Sequence, residues 1–196
     1  MNERPSTRLD AAPWPDFVKG WTCSGLLPGL EMNSMSDRYF VDTNILMYAH
    51  DKAAGAKHER AKALVEELWR ERTGVVSTQV LQELSVNLRK KVNRPLDARA
   101  TRDIVADYLA WQLIVNGGES ILEALDLESR YQISFWDALV VQAAQTSGAD
   151  ILYSEDLSDG QTYGSVRVIN PLIEPGSGVK LKRKSDFHAQ NRSNTR

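Results

Sequence analysis

Four acidic side chains are the residues in this sequence whose type and spacing best suit chemistry. Carboxylates brought together repel one another and raise one another's pKa unless a cation offsets their charge. Mg²⁺ or Mn²⁺ would supply that charge, because these hard ions prefer oxygen ligands, and Mg²⁺ binds through a few carboxylates while keeping several waters. The four candidates for such metal chemistry are Asp42, Glu83, Asp137 and Asp156.

Cysteine and histidine offer no competing metal chemistry. The single cysteine, Cys23, rules out an internal disulfide framework and a thiolate zinc site, since structural zinc needs several Cys or His ligands. The three histidines do not recur at metal-ligand spacing: His50, His58 and His188. The acidic groups therefore remain as the main candidates.

Two of the four acids follow predicted strands. Asp42 comes directly after residues 38–41 (RYFV), and Asp156 lies three residues past residues 151–153 (ILY). Functional groups in open parallel sheets cluster just beyond the carboxyl ends of the strands, so we expect these two acids at one edge. Asp150 precedes its strand, at the opposite edge, and is excluded. Asp42 would also serve as the N-cap of the helix that follows it.

The other two acids lie on predicted helices. Glu83 falls within a helix over residues 78–90, where a lone glutamate is usually just solvated. Asp137 opens a helix over residues 135–147 and stands three residues after Ser134, in the S-x-x-D order of a capping box. The apolar run ALVV follows Asp137, so we expect this helix to be buried and an acid at its mouth to need a partner.

The alternation of short apolar strands with helices predicts the fold. It favours a three-layer α/β/α arrangement, in which helices flank a short-stranded parallel sheet. We predict one domain over residues 37–172. Its strands are predicted at residues 38–41, 74–77, 112–115, 151–153 and 167–169, and its main helices at 45–49, 78–90, 96–109, 120–131 and 135–147. Apolar residues also recur at helical spacing over residues 61–69.

The two flanks differ from this domain. Residues 1–36 are proline-rich and show no periodicity, so we expect a disordered extension or upstream sequence read through from a misassigned start codon. Residues 173–196 carry six basic and two acidic side chains, a charge of +4, which predicts a basic, disordered tail that is able to hold nucleic acid. No apolar run approaches the roughly 18 residues of a membrane span, and a cytoplasmic location is expected.

Four short motifs in order carry a resemblance to a known family. They are VDTN at residues 41–44, QEL at 82–84, FWDA at 135–138 and YSEDL at 153–157. In this order they resemble PIN domains, and within them the VapC-type toxins of bacterial toxin–antitoxin pairs. The resemblance covers residues 38–170, and the ordered set of four acids is its most specific part.

The resemblance implies a function and partners. It implies a metal-dependent endoribonuclease that hydrolyses RNA with a metal-activated water, forms a homodimer and is blocked by a small antitoxin. Carried over to this sequence, the four acids would hold Mg²⁺. Ser154 takes the place of the Ser or Thr that steadies the first aspartate, and Asn44 the place of the polar residue that orients it. Candidate phosphate contacts end the Glu83 helix: Arg89, Lys90, Lys91 and Arg94.

Three alternatives stand beside this interpretation. The first is a degenerate PIN domain that binds RNA without cutting it. The second is a haloacid dehalogenase-type phosphatase, which needs a second aspartate where this chain has Asn44 and a lysine that residues 143–155 lack. The third is a receiver-like signalling module, which needs an aspartate where the third strand ends in Asn116.

Overall fold

The computed structural model describes residues 37–173. The expectations for residues 1–36 and for the tail beyond residue 173 lie outside the described residues. The predicted α/β class is confirmed, since helices flank a six-stranded, mostly parallel sheet. The strands are β1 (Tyr39–Val41), β2 (Gly74–Ser77), β3 (Gln112–Ile114), β4 (Ile151–Tyr153), β5 (Thr162–Tyr163) and β6 (Val166–Ile169).

The strand order is β3-β2-β1-β4-β6-β5. All neighbouring strands pair in parallel except β5 and β6, which form an antiparallel hairpin. Strand β5 has no counterpart among the predicted strands, because two residues are too few to show a periodicity. The hairpin turns at Gly164, whose φ of +59° lies in the left-handed region that favours glycine.

The helices begin and end close to their predicted bounds. They are α1 (Thr43–His50), α2 (Ala56–Glu71), α3 (Thr78–Lys90), α4 (Ala98–Tyr108), α5 (Gly118–Tyr131) and α6 (Phe135–Thr146), with a 3₁₀ turn at Lys52–Ala54 between the first two. Helix α1 packs on α2 and α3, and α5 packs on α6. Within residues 37–173, every helix is too short or too polar to cross a bilayer.

The core lies on both faces of the sheet's centre. Phe40, Val41, Val76 and Leu152 are fully buried, as strands covered by helices on both faces require. Helix α6 is buried over residues 138–144, which include the apolar run that predicted it. Each such side chain contributes about 1.5–3 kcal/mol by leaving water. The core therefore fixes the strand ends from which the acidic residues project.

An aromatic cluster closes the β3 side of the domain. Trp69, Tyr108 and Trp111 lie with ring centroids 5.2–6.1 Å apart. A side chain at Gly74 would put its Cβ 2.5 Å from Cε3 of Trp111, so the indole occupies the space that glycine leaves open. This close packing joins β2 to the segment that enters the edge strand β3.

Candidate acidic site

The carboxyl ends of β1 and β4 meet at one edge of the sheet. Val41 pairs with Tyr153 in parallel register, and the Asp42 N–H donates to the Tyr153 carbonyl at 3.0 Å. Asp42 therefore leaves β1 beside Ser154, which leaves β4. Two segments 112 residues apart in sequence are brought together by strand pairing alone.

Asp42 is the most buried acid at this edge, with 6% of its surface exposed. It caps α1, because its Oδ1 accepts the Thr43 N–H at 2.6 Å. Its Oδ2 accepts from the Ser154 hydroxyl at 2.7 Å and from Asn44 Nδ2 at 3.2 Å. The capping explanation is correct, but the carboxylate also receives donors that a simple cap does not need.

The pKa of Asp42 is raised from 3.8 to about 7. Burial is the largest cause, and the negative charges of Asp156 and Glu83 raise the pKa further. The hydrogen bonds from Ser154 and the Thr43 N–H act in the opposite direction, because they stabilise the carboxylate. The other two acids therefore lie close enough to Asp42 for their charges to matter.

Asn44 joins the two strand-end acids. Its Nδ2 donates to Asp42 Oδ2 and to Asp156 Oδ2, the latter at 3.0 Å. Its Oδ1 accepts the Glu155 N–H at 3.3 Å, which fixes the orientation of the amide. The Ser154 hydroxyl also accepts the N–H of Asp156 at 3.2 Å, so the loop after β4 is held against the start of α1.

Glu83 reaches the same site from α3. Its Oε2 accepts from the Thr43 hydroxyl at 3.0 Å, and its Oε1 from Gln79 Nε2 at 2.8 Å. Gln79 Nε2 also lies 3.3 Å from the Trp136 carbonyl, in the first turn of α6. Glu83 is therefore held by side chains on both sides and is not a freely solvated glutamate.

Asp137 is placed differently from the other three acids. Its N–H donates to Ser134 Oγ at 3.1 Å, so Ser134 caps α6 as predicted. Its Oδ2 accepts from the Ser134 hydroxyl at 2.8 Å, where a capping box has the carboxylate bind the serine's backbone N–H. Within residues 37–173 it forms no hydrogen bond to Asp42, Glu83 or Asp156. The Gln79 contact nevertheless puts the turn that carries Asp137 next to Glu83.

The site's donors suit a hard divalent ion, although no tight ligand cage is formed. Among residues 37–173, no three His, Cys, Asp or Glu side chains converge in a metal-binding arrangement. The donors here are carboxylate oxygens: burial raises the pKa of Asp42 most, repulsion from Asp156 and Glu83 adds to it, and a cation relieves such repulsion. Mg²⁺ needs only one or two carboxylates and retains waters, so an open set of this kind fits it.

The predicted RNA contacts lie farther along α3. Arg89 and Lys90 form its last turn, Lys91 is its C-cap and Arg94 follows in the next turn. All four are exposed, and none forms an ion pair within residues 37–173. Six residues separate Glu83 from Arg89, which puts Arg89 about 9 Å farther along the helix axis.

Several residues at or near this site were not predictable from the sequence. Thr43 and Gln79 both bind Glu83, yet a threonine and a glutamine on helices give no chemical signal of their own. Trp136 is 61% exposed beside Asp137, which sequence alone did not indicate. Lys57 binds Glu155 next to the site, and its position 98 residues away made the contact invisible in the sequence.

Known proteins share features with this chain. The sequence profile of the PIN domain family matches residues 39–158. A comparison with curated protein sequences gives no match. Among solved structures, a toxin–antitoxin complex from Klebsiella pneumoniae aligns with a TM-score of 0.51 at 20% identity, over 68% of this chain and 97% of that chain.

Two further structures align more loosely. VapC20 from Mycobacterium tuberculosis, described as a sarcin–ricin loop cleaving toxin, gives a TM-score of 0.47 at 22% identity, over 59% of this chain and 88% of that chain. VapBC2 from Rickettsia felis, bound to a promoter DNA fragment, gives a TM-score of 0.48 at 18% identity, over 66% of this chain and 96% of that chain. At such identities, a structural match speaks for the fold alone.

Proposed function

Since the chain belongs to the PIN domain family, we propose that it is a Mg²⁺- or Mn²⁺-dependent endoribonuclease of the VapC toxin type. The observation that carries this proposal is the hydrogen-bonded network that links three acids: Asp42, Asp156 and Glu83. The reaction is hydrolysis of an RNA phosphodiester bond by water, with no covalent enzyme intermediate.

Four side chains are proposed to hold the metal: Asp42, Glu83, Asp137 and Asp156. When bound, the ion would lower the pKa of a water ligand and offset the negative charge that builds on the phosphoryl oxygens. Support comes from the all-oxygen donor set and from the pKa of Asp42, which burial raises most and the charges of Asp156 and Glu83 raise further. Asp137 joins the set by its place in the first turn of α6, next to Gln79 and Glu83.

The chain's own polar groups orient these acids. Ser154 and the Thr43 N–H bind separate oxygens of Asp42, so its carboxylate has one orientation. The Asn44 amide nitrogen donates to both Asp42 and Asp156, and these two hydrogen bonds offset the repulsion between the carboxylates. Side chains that are fixed before substrate arrives need no reorganisation during the reaction.

RNA is proposed to bind across the exposed side of this site. Phosphates would contact Arg89, Lys90, Lys91 and Arg94, since cationic side chains supply most of the sequence-independent affinity for nucleic acid. The exposed indole of Trp136, backed by the Phe135 ring at 5.4 Å, offers a face on which an unpaired base would stack. The predicted basic tail would add to the same attraction.

An antitoxin and a second copy of the chain are the proposed protein partners. The antitoxin follows from similarity to the fold of a chain solved in a toxin–antitoxin complex. Helix α5 exposes Ile121, Leu122 and Leu125, three apolar residues that a protein partner would cover. A cytoplasmic location remains the expectation for such a system.

A PIN domain that binds RNA without cutting it is the second candidate. The observation that favours it is the separate placement of Asp137, together with the lack of a three-ligand cluster within residues 37–173. Both candidates bind RNA, so binding does not separate them. Metal-dependent cleavage does.

The test is cleavage of a mixed RNA substrate by the full chain, followed on denaturing gels. We expect EDTA to stop cleavage and Mg²⁺ or Mn²⁺ to restore it, because the proposed ligands are all oxygens. Asp42→Asn protein, prepared in parallel, controls for contaminating nuclease. Rescue by zinc alone, or RNA binding with no cleavage in any ion, would reject the proposed reaction.

A further inference from the structure

We propose that Lys57 is a positioning residue of the acidic site: through Glu155 it holds the loop after β4, so that Asn44 presents its amide nitrogen to Asp42 and Asp156. The function that Lys57 serves here rests on the proposed nuclease activity. The contact itself is tested below by a measurement that does not depend on activity.

Lys57 reaches the loop from the first turn of α2. Its Nζ donates to the Glu155 carboxylate and, at 3.4 Å, to the Tyr48 hydroxyl. It also lies 4.8 Å from the centroid of the Tyr48 ring. The ion pair thus joins α2 to a loop 98 residues later, whereas the pair between Lys62 and Glu66 joins residues one turn apart on the same helix.

Both partners of Lys57 lead to Asn44. Glu155 donates its N–H to Asn44 Oδ1 at 3.3 Å. Tyr48 stands four residues after Asn44 on α1, so the two side chains share one face of that helix. Lys57 therefore fastens the loop to the same helix face that carries the bridging amide.

The bridge between Asp42 and Asp156 depends on the orientation of the Asn44 amide. An amide has one donating and one accepting end, and here the Glu155 N–H occupies the accepting end. If the loop moves away, the amide loses the Glu155 N–H and the Asp156 carboxylate together, and among these three contacts only the bond to Asp42 still fixes its orientation. The bridge between the strand-end acids would then break.

Charge gives Lys57 a second effect in the same direction. Glu155 immediately precedes Asp156, and its carboxylate would add a negative charge beside the acids of the site. Lys57 offsets that charge at the point where it arises. An ordinary exposed ion pair contributes little to stability, so a positioning role and a merely structural role predict different results.

The experiment compares Lys57→Met with Lys62→Met in the full chain. Both lysines stand on α2, both are paired with a glutamate, and both side chains are 42% exposed. Lys57→Arg tests rescue by a conservative cation, and Glu155→Gln removes the partner. Cleavage is measured against RNA and against Mg²⁺ concentration, and each melting temperature is recorded.

We expect Lys57→Met to lower kcat and to raise the Mg²⁺ concentration for half-maximal rate, in total about 10–100-fold, as removal of a group that supports metal ligands does. KM for RNA should stay within about twofold, and the melting temperature within about 2 °C. Lys57→Arg should restore most of the rate, and Glu155→Gln should add nothing to Lys57→Met in the double variant. Lys62→Met should match the unsubstituted protein.

An unchanged kcat and Mg²⁺ requirement in Lys57→Met would overturn the proposal. So would a rise in KM alone, which would indicate that Lys57 binds a phosphate directly. If the unsubstituted chain cleaves no RNA, the side-chain amide resonances of Asn44 decide instead, assigned by their absence in Asn44→Ser. A shift of these resonances in Lys57→Met, but not in Lys62→Met, would support the positioning contact, and no shift would reject it.

Discussion

Asp42 and Asp137 both lie at the start of a helix, yet the chain surrounds them very differently. Asp42 is 6% exposed and accepts hydrogen bonds from Ser154, Asn44 and the Thr43 N–H. The side chain of Asp137 is half-buried and, among residues 37–173, bonds only with Ser134, within its own turn. Capping accounts for the bonds between Asp137 and Ser134, whereas Asp42 has two more than capping needs.

The difference shows that burial of the charged Asp42 carboxylate costs the fold stability. A carboxyl whose pKa is raised to about 7 is disfavoured in its charged form, and burial is the main reason. Nothing in the local helix requires that burial, since an exposed cap would serve α1 equally well. Helix capping alone therefore does not explain the burial of Asp42, which is consistent with its proposed role as a metal ligand.

Substitution of each acid by its amide should separate the two regions most strongly. We expect Asp42→Asn to lower the rate of RNA cleavage by about 10³-fold or more, because it removes the charge that the proposed metal and transition state need. Asp150→Asn, at the opposite end of β4, should keep full activity. Asp137→Asn is expected to lose activity through its charge while its helix stays capped. Full activity of Asp42→Asn would reject the site assignment.

The second-largest effect is expected on stability, which should depend on both pH and Mg²⁺ through the Asp42 carboxyl. A folded carboxyl with a raised pKa keeps its proton longer than the unfolded chain does, so its contribution to the free energy of unfolding falls as pH rises from about 4 to about 7. The pKa of His50, lowered to about 4 by burial, acts in the opposite sense over pH 4–6.5. Measurements with and without Mg²⁺ at each pH remove the His50 contribution.

We expect Mg²⁺ to raise the melting temperature by about 5–10 °C at pH 8, at about 100 times its Kd, and by much less at pH 5.5. The reason is that the metal competes with the proton on Asp42. Asp42→Asn should show little Mg²⁺ effect at either pH. An equal effect of Mg²⁺ at both pH values would contradict the assignment of Asp42 as a ligand.

Two serines allow the same comparison at the level of single hydroxyls. Ser154→Ala removes a donor from the buried Asp42 carboxylate and should destabilise the fold by about 1–3 kcal/mol while lowering activity about tenfold or more. Ser134→Ala removes the cap of α6 and should destabilise the fold by about 1 kcal/mol. Its activity should change much less. Thermal melts and cleavage rates for both variants provide the check. Equal losses of activity would contradict the difference proposed between the surroundings of Asp42 and Asp137.

The smallest effect is expected from the basic residues beyond the site. Substitution of Arg89 and Lys90 by glutamine should raise KM for RNA a few-fold and leave kcat unchanged. The dependence of log affinity on log salt should flatten by about 0.7 for each phosphate of single-stranded RNA that the variant no longer neutralises. Deletion of residues 173–196 should have the same kind of effect. Unchanged salt slopes would mean that other cations bind the phosphates.

Strand ends and helix starts were predictable because their signals are local. Asp42 follows an apolar strand, and Asp137 precedes the buried run ALVV, so both could be located from neighbouring residues. The short antiparallel β5 was missed because its two residues carry no period. The sequence predicted a parallel sheet. The structure has a mostly parallel sheet with one antiparallel pair, β5 and β6.

The network around the acids was only partly predictable. Ser154 and Asn44 were expected beside Asp42 from the resemblance of their motifs, and the structure has hydrogen bonds at both. The bond from Thr43 to Glu83 spans 40 residues, and the pair between Lys57 and Glu155 spans 98. Neither has a local pattern, because each depends on how helices pack against the sheet edge.

The pairing of β1 with β4 also has a consequence during protein synthesis. Asp42 and Asp156 lie 114 residues apart, so at about 5–20 residues per second the ribosome adds the second about 6–23 s after the first. Until β4 has emerged, the growing chain has neither Ser154 nor Asp156. The four acids of the proposed site are therefore present together only when the last strands have been added.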